Sequence, residues 1–443
     1  MLKVKKYANG AILIYKKRKK KCTTVNAGFV FGKNREKYSE PTAHFCEHML
    51  FKETESKNEK EFRQYRLDTL SKNNAYTSPF YLFTDFCRSN KALEKCFALE
   101  SEMLLSPKFS KKLVENEKGV IKQELVRKIN NPQAKFALAY RRTLLSNYNK
   151  DTIVLGSEEE IDAITAKELR KFKNDTFISE NFVISIVGGI SYHKAKKLAE
   201  RYYINNLKSN PKYTIDKTLT IPIDKPGNLN IENFPHKKSI CRVTIKLPDE
   251  LRNDKSYAML NMLQYISNGL SGKLFCALRD KGLVYSAHLD YVKDIYDSTV
   301  YVDFECSNEN VNSVIDTIGQ IFDLYRSTPF ENELLARHKA NKKLNSDEQN
   351  PLPIYPEQTN ITYLRFGKEV FTKQFKKNQK KIFNNLTPED LQEFCKQIFT
   401  LPENIYVTIL TDETSKDKFY SYETIQKILT TSANPNKIKK NRK

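Results

Sequence analysis

Two histidines and a glutamate early in the chain have the spacing of a metal-binding motif. They are His44, Glu47 and His48, which stand in the segment PTAHFCEHMLFKET as H-x-x-E-H. In a helix, residues four apart lie one turn apart on the same face. Two neutral imidazoles so arranged can bind Zn²⁺, and a carboxylate beside them can take a proton from water at the metal. The motif predicts a hydrolytic zinc centre; the alternative is a buried helix whose histidines only bond to their neighbours.

A catalytic zinc site needs a third protein ligand, and a later helical segment offers candidates. The segment LVENEKGVIKQELVRK contains Glu124, which follows His48 by 76 residues, and Glu117, seven residues before Glu124. Seven residues are close to two helical turns, so the two carboxylates lie only about 20° apart around the helix. Glu115 falls on the opposite face and is expected in solvent. The helix can therefore aim two carboxylates at one point, although an ordinary exposed charge is the alternative for Glu117.

The composition argues against several other classes of protein. The chain has 443 residues and a net charge of +22, and its two basic runs, 16–21 and 437–443, are accompanied by no Cys/His finger, aromatic RNA-binding motif or phosphate loop. We therefore expect no specific nucleic-acid partner. The longest apolar run, 182–190, is half the length of a membrane-spanning helix, so no transmembrane segment is expected.

Cysteine usage bears on the compartment. The eight cysteines are scattered without a C-x-x-C pair, which is typical of reduced thiols and not of a disulfide framework. The first residues also lack the apolar core and cleavage site of a signal peptide. Together these features predict a cytoplasmic protein.

The chain contains an internal duplication. Residues 164–188 (ITAKELRKFKNDTFISENFVISIVG) resemble residues 386–410 (LTPEDLQEFCKQIFTLPENIYVTIL), an offset of about half the chain. Each copy has a threonine cap, an amphipathic helix, a turn and a buried strand. The repeat predicts two homologous domains, 1–206 and 228–432, joined by a proline-containing linker, 207–227, and followed by a basic tail, 433–443.

Within each half, runs of strands precede runs of helices, which indicates an α+β fold class. In the first half we expect strands at 25–31 and within 75–87, and helices at 41–51, 92–105 and 111–128. In the second half we expect strands at 240–247, 284–292 and 299–306, and a helix at 257–266. The proline-rich stretch 347–360 is expected to be a loop.

The segment HFCEHMLFKET, followed by the distant glutamate in the first of two tandem units, resembles the M16 family of zinc metallopeptidases, the inverzincins that include pitrilysin and mitochondrial processing peptidase. The chain length resembles the half-sized branch of that family. The resemblance implies that His44, His48 and Glu124 bind one zinc ion, that Glu47 is the general base and that Glu117 is a supporting carboxylate. It also implies two domains that close like a clam around the substrate.

Two further segments carry the resemblance. NNAYTSPFYLFTDF is similar to a family strand that aligns the substrate by β-augmentation, which implies a role for Asn74 and the Ala75 backbone; a plain sheet strand is the alternative. GLSGKLFCALRDKGLVYSA is similar to a segment that contacts the substrate from the other domain. By that likeness Arg279 and Tyr285 bond to the peptide and the developing oxyanion, although their spacing is one residue shorter than the family's. A helix end and a core tyrosine are the alternative.

The sequence therefore predicts a zinc-dependent endopeptidase that cleaves short or unfolded peptides inside a closed chamber. By the resemblance, half-sized chains pair, so a homodimer or a heterodimer with an M16-like paralogue is expected. The alternative is a non-catalytic or partner-dependent subunit that binds peptide or a second peptidase subunit. The second unit has no H-x-x-E-H, and the lone His288 and His338 are not expected to bind metal, which leaves one metal site per chain.

Overall fold

Apolar strands and amphipathic helices build two compact units. This computed structural model describes residues 2–69, 73–146, 148, 154–210, 216, 218–235, 237–294, 296–348 and 356–431. The first unit consists of Met1–Ile129, Lys150–Ile221 and Pro353–Phe375, and the second of Asn130–Asn149, Pro222–Leu352 and Lys376–Lys443. Neither unit is one continuous stretch of chain, so the predicted boundaries 1–206, 207–227 and 228–432 stay a prediction. The predicted tail 433–443 lies outside the described residues.

The described part of the first half of the chain contains one sheet and eight α-helices. Its strands are β1 (Leu2–Lys6), β2 (Ile12–Lys17), β3 (Cys22–Val30), β4 (Asn73–Thr77), β5 (Tyr81–Ser89) and β6 (Phe182–Gly188). Its helices are α1 (Thr42–Met49), α2 (Glu59–Thr69), α3 (Leu93–Leu105), α4 (Lys111–Ile129), α5 (Pro132–Leu144), α6 (Glu158–Ala163), α7 (Ala166–Thr176) and α8 (Tyr192–Tyr202). The strand order is β1-β2-β6-β3-β5-β4, and only β2 and β6 run parallel.

The second half repeats this plan. Its strands are β7 (Leu229–Asn233), β8 (Lys238–Lys246), β9 (Ser286–Val292), β10 (Thr299–Ser307) and β11 (Ile405–Thr411). Its helices are α9 (Asp254–Ser267), α10 (Lys273–Arg279), α11 (Val311–Ser327), α12 (Asn332–Glu348), α13 (Pro356–Phe366), α14 (Lys373–Asn384), α15 (Pro388–Ile398) and α16 (Tyr422–Thr430). The strand order β7-β11-β8-β10-β9, with only β7 and β11 parallel, matches β2-β6-β3-β5-β4 of the first sheet.

The duplicated segments adopt the same local structure. Thr165 caps α7 by accepting a hydrogen bond from the Glu168 N–H at 3.1 Å, and Thr387 caps α15 through the Asp390 N–H at 3.2 Å. Each helix leads through a short turn into a fully buried strand, β6 or β11. The predicted α+β class, the duplication and the expected strands and helices are confirmed, with ends that differ by a few residues.

One helix of each half packs in the unit formed mainly by the other half. In the first unit, α13 covers the sheet face made of Ile14, Phe83 and Val183. In the second unit, α5 packs on β7 and β11, and the Thr143 and Thr408 hydroxyls lie 2.7 Å apart. The prediction of a loop over 347–360 is wrong where α12 and α13 occupy it, because α13 buries Thr359 and Asn360 against the sheet. Residues 349–355 lie outside the described part.

Helices cover the opposite face of the first sheet and position the candidate site. Val25 and Phe29 of β3 share one core with Phe45 of α1, Phe97 of α3 and Phe172 of α7. Strand β4 forms the edge of the sheet and packs beside α1. No helix in the described ranges combines the length and apolarity that crossing a bilayer requires.

Candidate metal centre

Helix α1 carries both histidines on one side while its other side is anchored in the core. Phe45, Cys46 and Met49 are fully buried, which fixes the helix rotation. The imidazoles of His44 and His48 then lie next to each other with ring centroids 4.6 Å apart. The i, i+4 spacing in the sequence thus becomes a pair of neighbouring nitrogen donors.

The start of α1 is tied to α7. The hydroxyls of Ser39 and Thr42 donate hydrogen bonds to Glu168 Oε1 at 3.1 and 3.0 Å. Because a helix of eight residues has little stability of its own, these bonds and the buried apolar side hold it in place.

Helix α4 presents the two predicted carboxylates to α1. Val114, Ile121 and Leu125 are buried at helical spacing and fix which side of α4 faces the core. Glu117 and Glu124 lie on that inward side, and Glu117 is only 4% exposed. The alternative for Glu117, an ordinary solvated charge, is therefore wrong, whereas Glu115 is exposed as expected.

Three side chains converge on one point. The Nε2 atoms of His44 and His48 lie 3.7 and 3.5 Å from Glu124 Oε2, and all three ligand atoms are within 4.8 Å of one another. In a tetrahedral zinc site with bonds near 2.1 Å, ligand atoms are separated by about 3.4 Å. Two imidazole nitrogens and one carboxylate oxygen, with a fourth position open, are the donor set of a catalytic zinc. The residues therefore fit the ion that the motif predicts.

A supporting chain of contacts orients His48. Its Nδ1 lies 2.9 Å from Glu117 Oε1, and Lys52 Nζ lies 2.5 Å from Glu117 Oε2. A carboxylate at Nδ1 holds the proton there and leaves Nε2 as the ligand atom. Burial opposes ionisation of Glu117, but its bonds to His48 and Lys52 prevail and lower its pKa. Lys52 was not predicted, because its position four residues after His48 is the one signal that the sequence offers for it.

Glu47 lies on the flank of the same helix with one strong partner. The Thr77 hydroxyl, in β4, donates a hydrogen bond to Glu47 Oε2 at 2.5 Å. Burial raises the pKa of Glu47 although this bond opposes the rise. Thr77 was also missed, although it stands three residues after Asn74 in a segment singled out for its likeness to a family strand.

The electrostatics of the cluster favour a positive charge between its members. Burial and the neighbouring His48 lower the pKa of His44 to about 4, so that it is neutral at pH 7 and able to coordinate a metal. Burial also disfavours a charged His48, but its bonds to Glu117 and Glu124 outweigh that and raise its pKa to about 9. The bond to His48 lowers the pKa of Glu124 to about 2. A metal cation between the three side chains would balance the negative charges of Glu117 and Glu124. Without a metal cation, a proton on His48 balances them.

Of the other four predicted site residues, two lie in the first unit and two in the second. Asn74 is exposed and Ala75 is buried in the edge strand β4, in the same unit as the histidines. Arg279 ends α10 in the second unit, with its guanidinium 5.5 Å from the Phe275 ring. Tyr285 follows in the same unit and is 84% exposed, so the alternative of a core tyrosine is wrong. The substrate roles of these four residues stay predictions.

Comparison with known families matches both halves of the chain. Residues 17–156 match the family model described as insulinase (peptidase family M16), and residues 163–342 match the model described as peptidase M16 inactive domain. An uncharacterized zinc protease of Bacillus subtilis is 23% identical over 370 residues, which cover 81% of this chain and 85% of that protein. A probable mitochondrial-processing peptidase subunit beta of Schizosaccharomyces pombe is 29% identical over 163 residues, covering 36% and 35%.

Solved structures share the fold along nearly the whole chain. The first half of the periplasmic protease PqqL from Escherichia coli has a TM-score of 0.76 at 18% identity, and the match covers 98% of this chain and 97% of that one. A protease from Helicobacter pylori has a TM-score of 0.73 at 17% identity, covering 93% and 99%. The match to complete PqqL covers 50% of that chain, so this protein corresponds in fold to one half of it.

Removing the third ligand is expected to empty the centre. In Glu124→Gln the carboxylate that joins the two imidazoles becomes a neutral amide, and bound zinc is expected to fall about tenfold or more after dialysis. Elemental analysis of the purified chain measures this. Glu115→Gln is the matched control, because it makes the same change at an exposed position of the same helix. Stoichiometric zinc in the Glu124 variant would rule out this ligand set.

Removing the charge of the carboxylate that contacts His48 is expected to reduce the affinity for zinc without abolishing zinc binding. Glu117→Gln keeps the shape but removes the negative charge at Nδ1, and zinc affinity is expected to fall by about 10- to 100-fold. Competition with a chromophoric chelator gives the dissociation constant. An unchanged constant would mean that Glu117 has no part in holding the metal.

Proposed function

We propose that this chain, which belongs to the M16 peptidase family, is a zinc-dependent endopeptidase. The observation that carries the proposal is the convergence of His44, His48 and Glu124 within 4.8 Å, beside the half-buried Glu47. Relatives named zinc proteases support the choice of metal. One ion per chain is proposed, because the described residues contain one such group of ligands.

The chemistry divides between the metal and Glu47. His44, His48 and Glu124 would hold the zinc ion, which would supply Lewis acidity to the attacking water and to the scissile carbonyl. Glu47 accepts the proton of the attacking water and then delivers it to the leaving amine. Because burial raises the pKa of Glu47, its carboxylate holds the proton taken from water until the leaving amine accepts it. This suits a residue that acts first as a base and then as an acid. The Thr77 bond holds one carboxylate oxygen so that the other is free to act.

The edge strand β4 supports a proposal for substrate binding. A peptide that adds to this edge beside Asn74 and Ala75 would run next to α1, because β4 also supplies Thr77 to Glu47. Main-chain pairing of this kind depends little on the side chains of the substrate. Arg279 and the exposed Tyr285 are proposed to bond to the peptide and to the oxyanion from the second unit.

The family resemblance extends the proposal to substrate size and assembly, and the cysteines extend it to the compartment. We propose short or unfolded peptides, enclosed in a chamber made by two chains, either two copies or one copy with an M16-like paralogue. The correspondence of this chain to one half of PqqL supports pairing. None of the eight cysteines, all of them in the described part of the chain, forms a disulfide, which supports a reducing, cytoplasm-like compartment.

Glu47→Gln is expected to abolish cleavage while zinc content stays near that of the wild type. The glutamine has nearly the same shape but cannot accept a proton, so peptide hydrolysis should fall by about 10²–10⁴-fold. Cleavage of a mixed peptide library, followed by mass spectrometry with and without a chelator, measures the loss.

A second variant, and the wild type with and without chelator, are the controls for this test. Thr77→Val removes only the hydrogen bond to Glu47 and is expected to lower kcat less than the loss of the base itself. Wild-type activity in Glu47→Gln would refute the assignment of the base. No chelator-sensitive cleavage by the zinc-loaded wild type would instead favour the alternative, a non-catalytic subunit that binds peptide or another peptidase subunit.

Pairing predicts a defined mass in solution. Light scattering of the purified protein is expected to give twice the 51.6 kDa chain mass, or a complex with a second chain when the protein is isolated from its native source. A monomer under both conditions would contradict the proposed assembly and leave the metal centre untouched.

A further inference from the structure

A cavity lies within the first unit, and none of the candidate metal ligands lines it. Its volume is about 560 Å³, within the range of sites for small molecules. Helices α3, α7 and α8 form its walls together with the segments that follow α1 and α8. The pocket therefore has room for a ligand much larger than a simple ion.

Three cationic side chains line this cavity: Arg170 and Lys173 of α7, and Lys208 after α8. Lys173 is half-buried, and within the described part of the chain no hydrogen bond or ion pair of its ammonium group is found. Its positive charge lowers the pKa of the Cys46 thiol, although burial raises that pKa more strongly. Cys46 faces away from the two histidines of α1. Burial lowers the pKa of Lys173. An ammonium group held in this way is stabilised by an anion that enters the cavity.

The carboxylates in the lining leave a surplus of positive charge. Glu102 is bonded to Lys57 at 2.8 Å and accepts hydrogen bonds from the Thr54 and Ser56 hydroxyls at 2.6 Å each. Its charge is therefore already satisfied by groups outside the three cations. Glu55 is the other carboxylate in the lining; it is exposed, and its charge favours the charged form of Lys173. Three cations thus face one available carboxylate.

The types of side chain favour an organic phosphate as the ligand. The Arg170 guanidinium donates one hydrogen bond to the Phe109 carbonyl at 2.7 Å and keeps further N–H donors for an anion. Guanidinium and ammonium groups together are the usual partners of phosphate oxygens. Asn174 and Asn206 offer amides, and Tyr202 offers a ring, to the body that carries the phosphate.

We propose that this cavity binds a small phosphorylated organic molecule of about nucleotide size, with its phosphate held by Arg170, Lys173 and Lys208. The site shares no residue with the metal centre, so it stands independently of the proposed peptidase activity.

Titration calorimetry of the zinc-loaded full-length chain tests the proposal, with adenosine monophosphate, ribose 5-phosphate and inorganic phosphate as probes and adenosine as the probe without phosphate. At least one of the organic phosphates is expected to bind once per chain, more tightly than inorganic phosphate, and adenosine is expected not to bind. Absence of binding of both organic phosphates at millimolar concentration, or equal binding of adenosine, would overturn the proposal.

Variants locate the site. Lys173→Met is expected to weaken binding of the organic phosphate about tenfold or more, and Lys208→Gln, at an exposed position, is expected to weaken it as well. Lys197→Met is the matched control, because it removes one charge from an exposed position of α8 outside the cavity. Lys173→Met is expected to keep its zinc and its unfolding temperature, since it removes a half-buried charge that makes no hydrogen bond or ion pair within the described part of the chain. Unchanged affinity in both Lys173→Met and Lys208→Gln would show that the phosphate binds elsewhere.

Discussion

The candidate metal centre depends on the packing of α4 against α1. Each helix buries its apolar side in the same core, and this leaves His44 and His48 of one facing Glu124 of the other. Ionised groups in such partly buried surroundings are costly unless they are paired. The geometry and the charges therefore both suit a cation between the three side chains.

The second unit has the same arrangement of strands and helices, but the described residues of its corresponding helices form no such group of ligands. By their order along the chain, α9 and α12 correspond to α1 and α4, and Asn261 and Tyr265 stand four apart on α9 as the histidines do on α1. Lys342 of α12 donates a hydrogen bond to Asn261 Oδ1 at 2.5 Å and lies 3.9 Å from the centre of the Phe383 ring. His338, expected to be no ligand, stacks on Tyr265 with ring centroids 4.0 Å apart. An ammonium group of the chain thus supplies a positive charge between these helices, and no acidic ligand is needed there.

The exchange of α5 and α13 could not be read from the linear pattern. Both helices are amphipathic, so local periodicity allows either sheet as their partner. The choice rests on contacts between residues far apart in sequence, such as the Asn360 amide, which donates to Asn26 Oδ1 at 2.6 Å. The prediction of a loop over 347–360 was wrong for a second reason. Prolines occur in the first turn of helices as well as in loops, so their presence alone does not distinguish the two.

The sequence alone determined the α+β class, the duplication and the donor set. Helical spacing puts His44 beside His48, and Glu117 on the same face as Glu124 two turns away, since 3.6 residues complete each turn. Only the tertiary structure decided that Glu124 Oε2 lies beside both Nε2 atoms, that Lys52 and Thr77 bond to Glu117 and Glu47, and that Tyr285 is exposed. These outcomes depend on the distance and orientation of elements that meet only after folding, and a one-dimensional pattern carries no such distances.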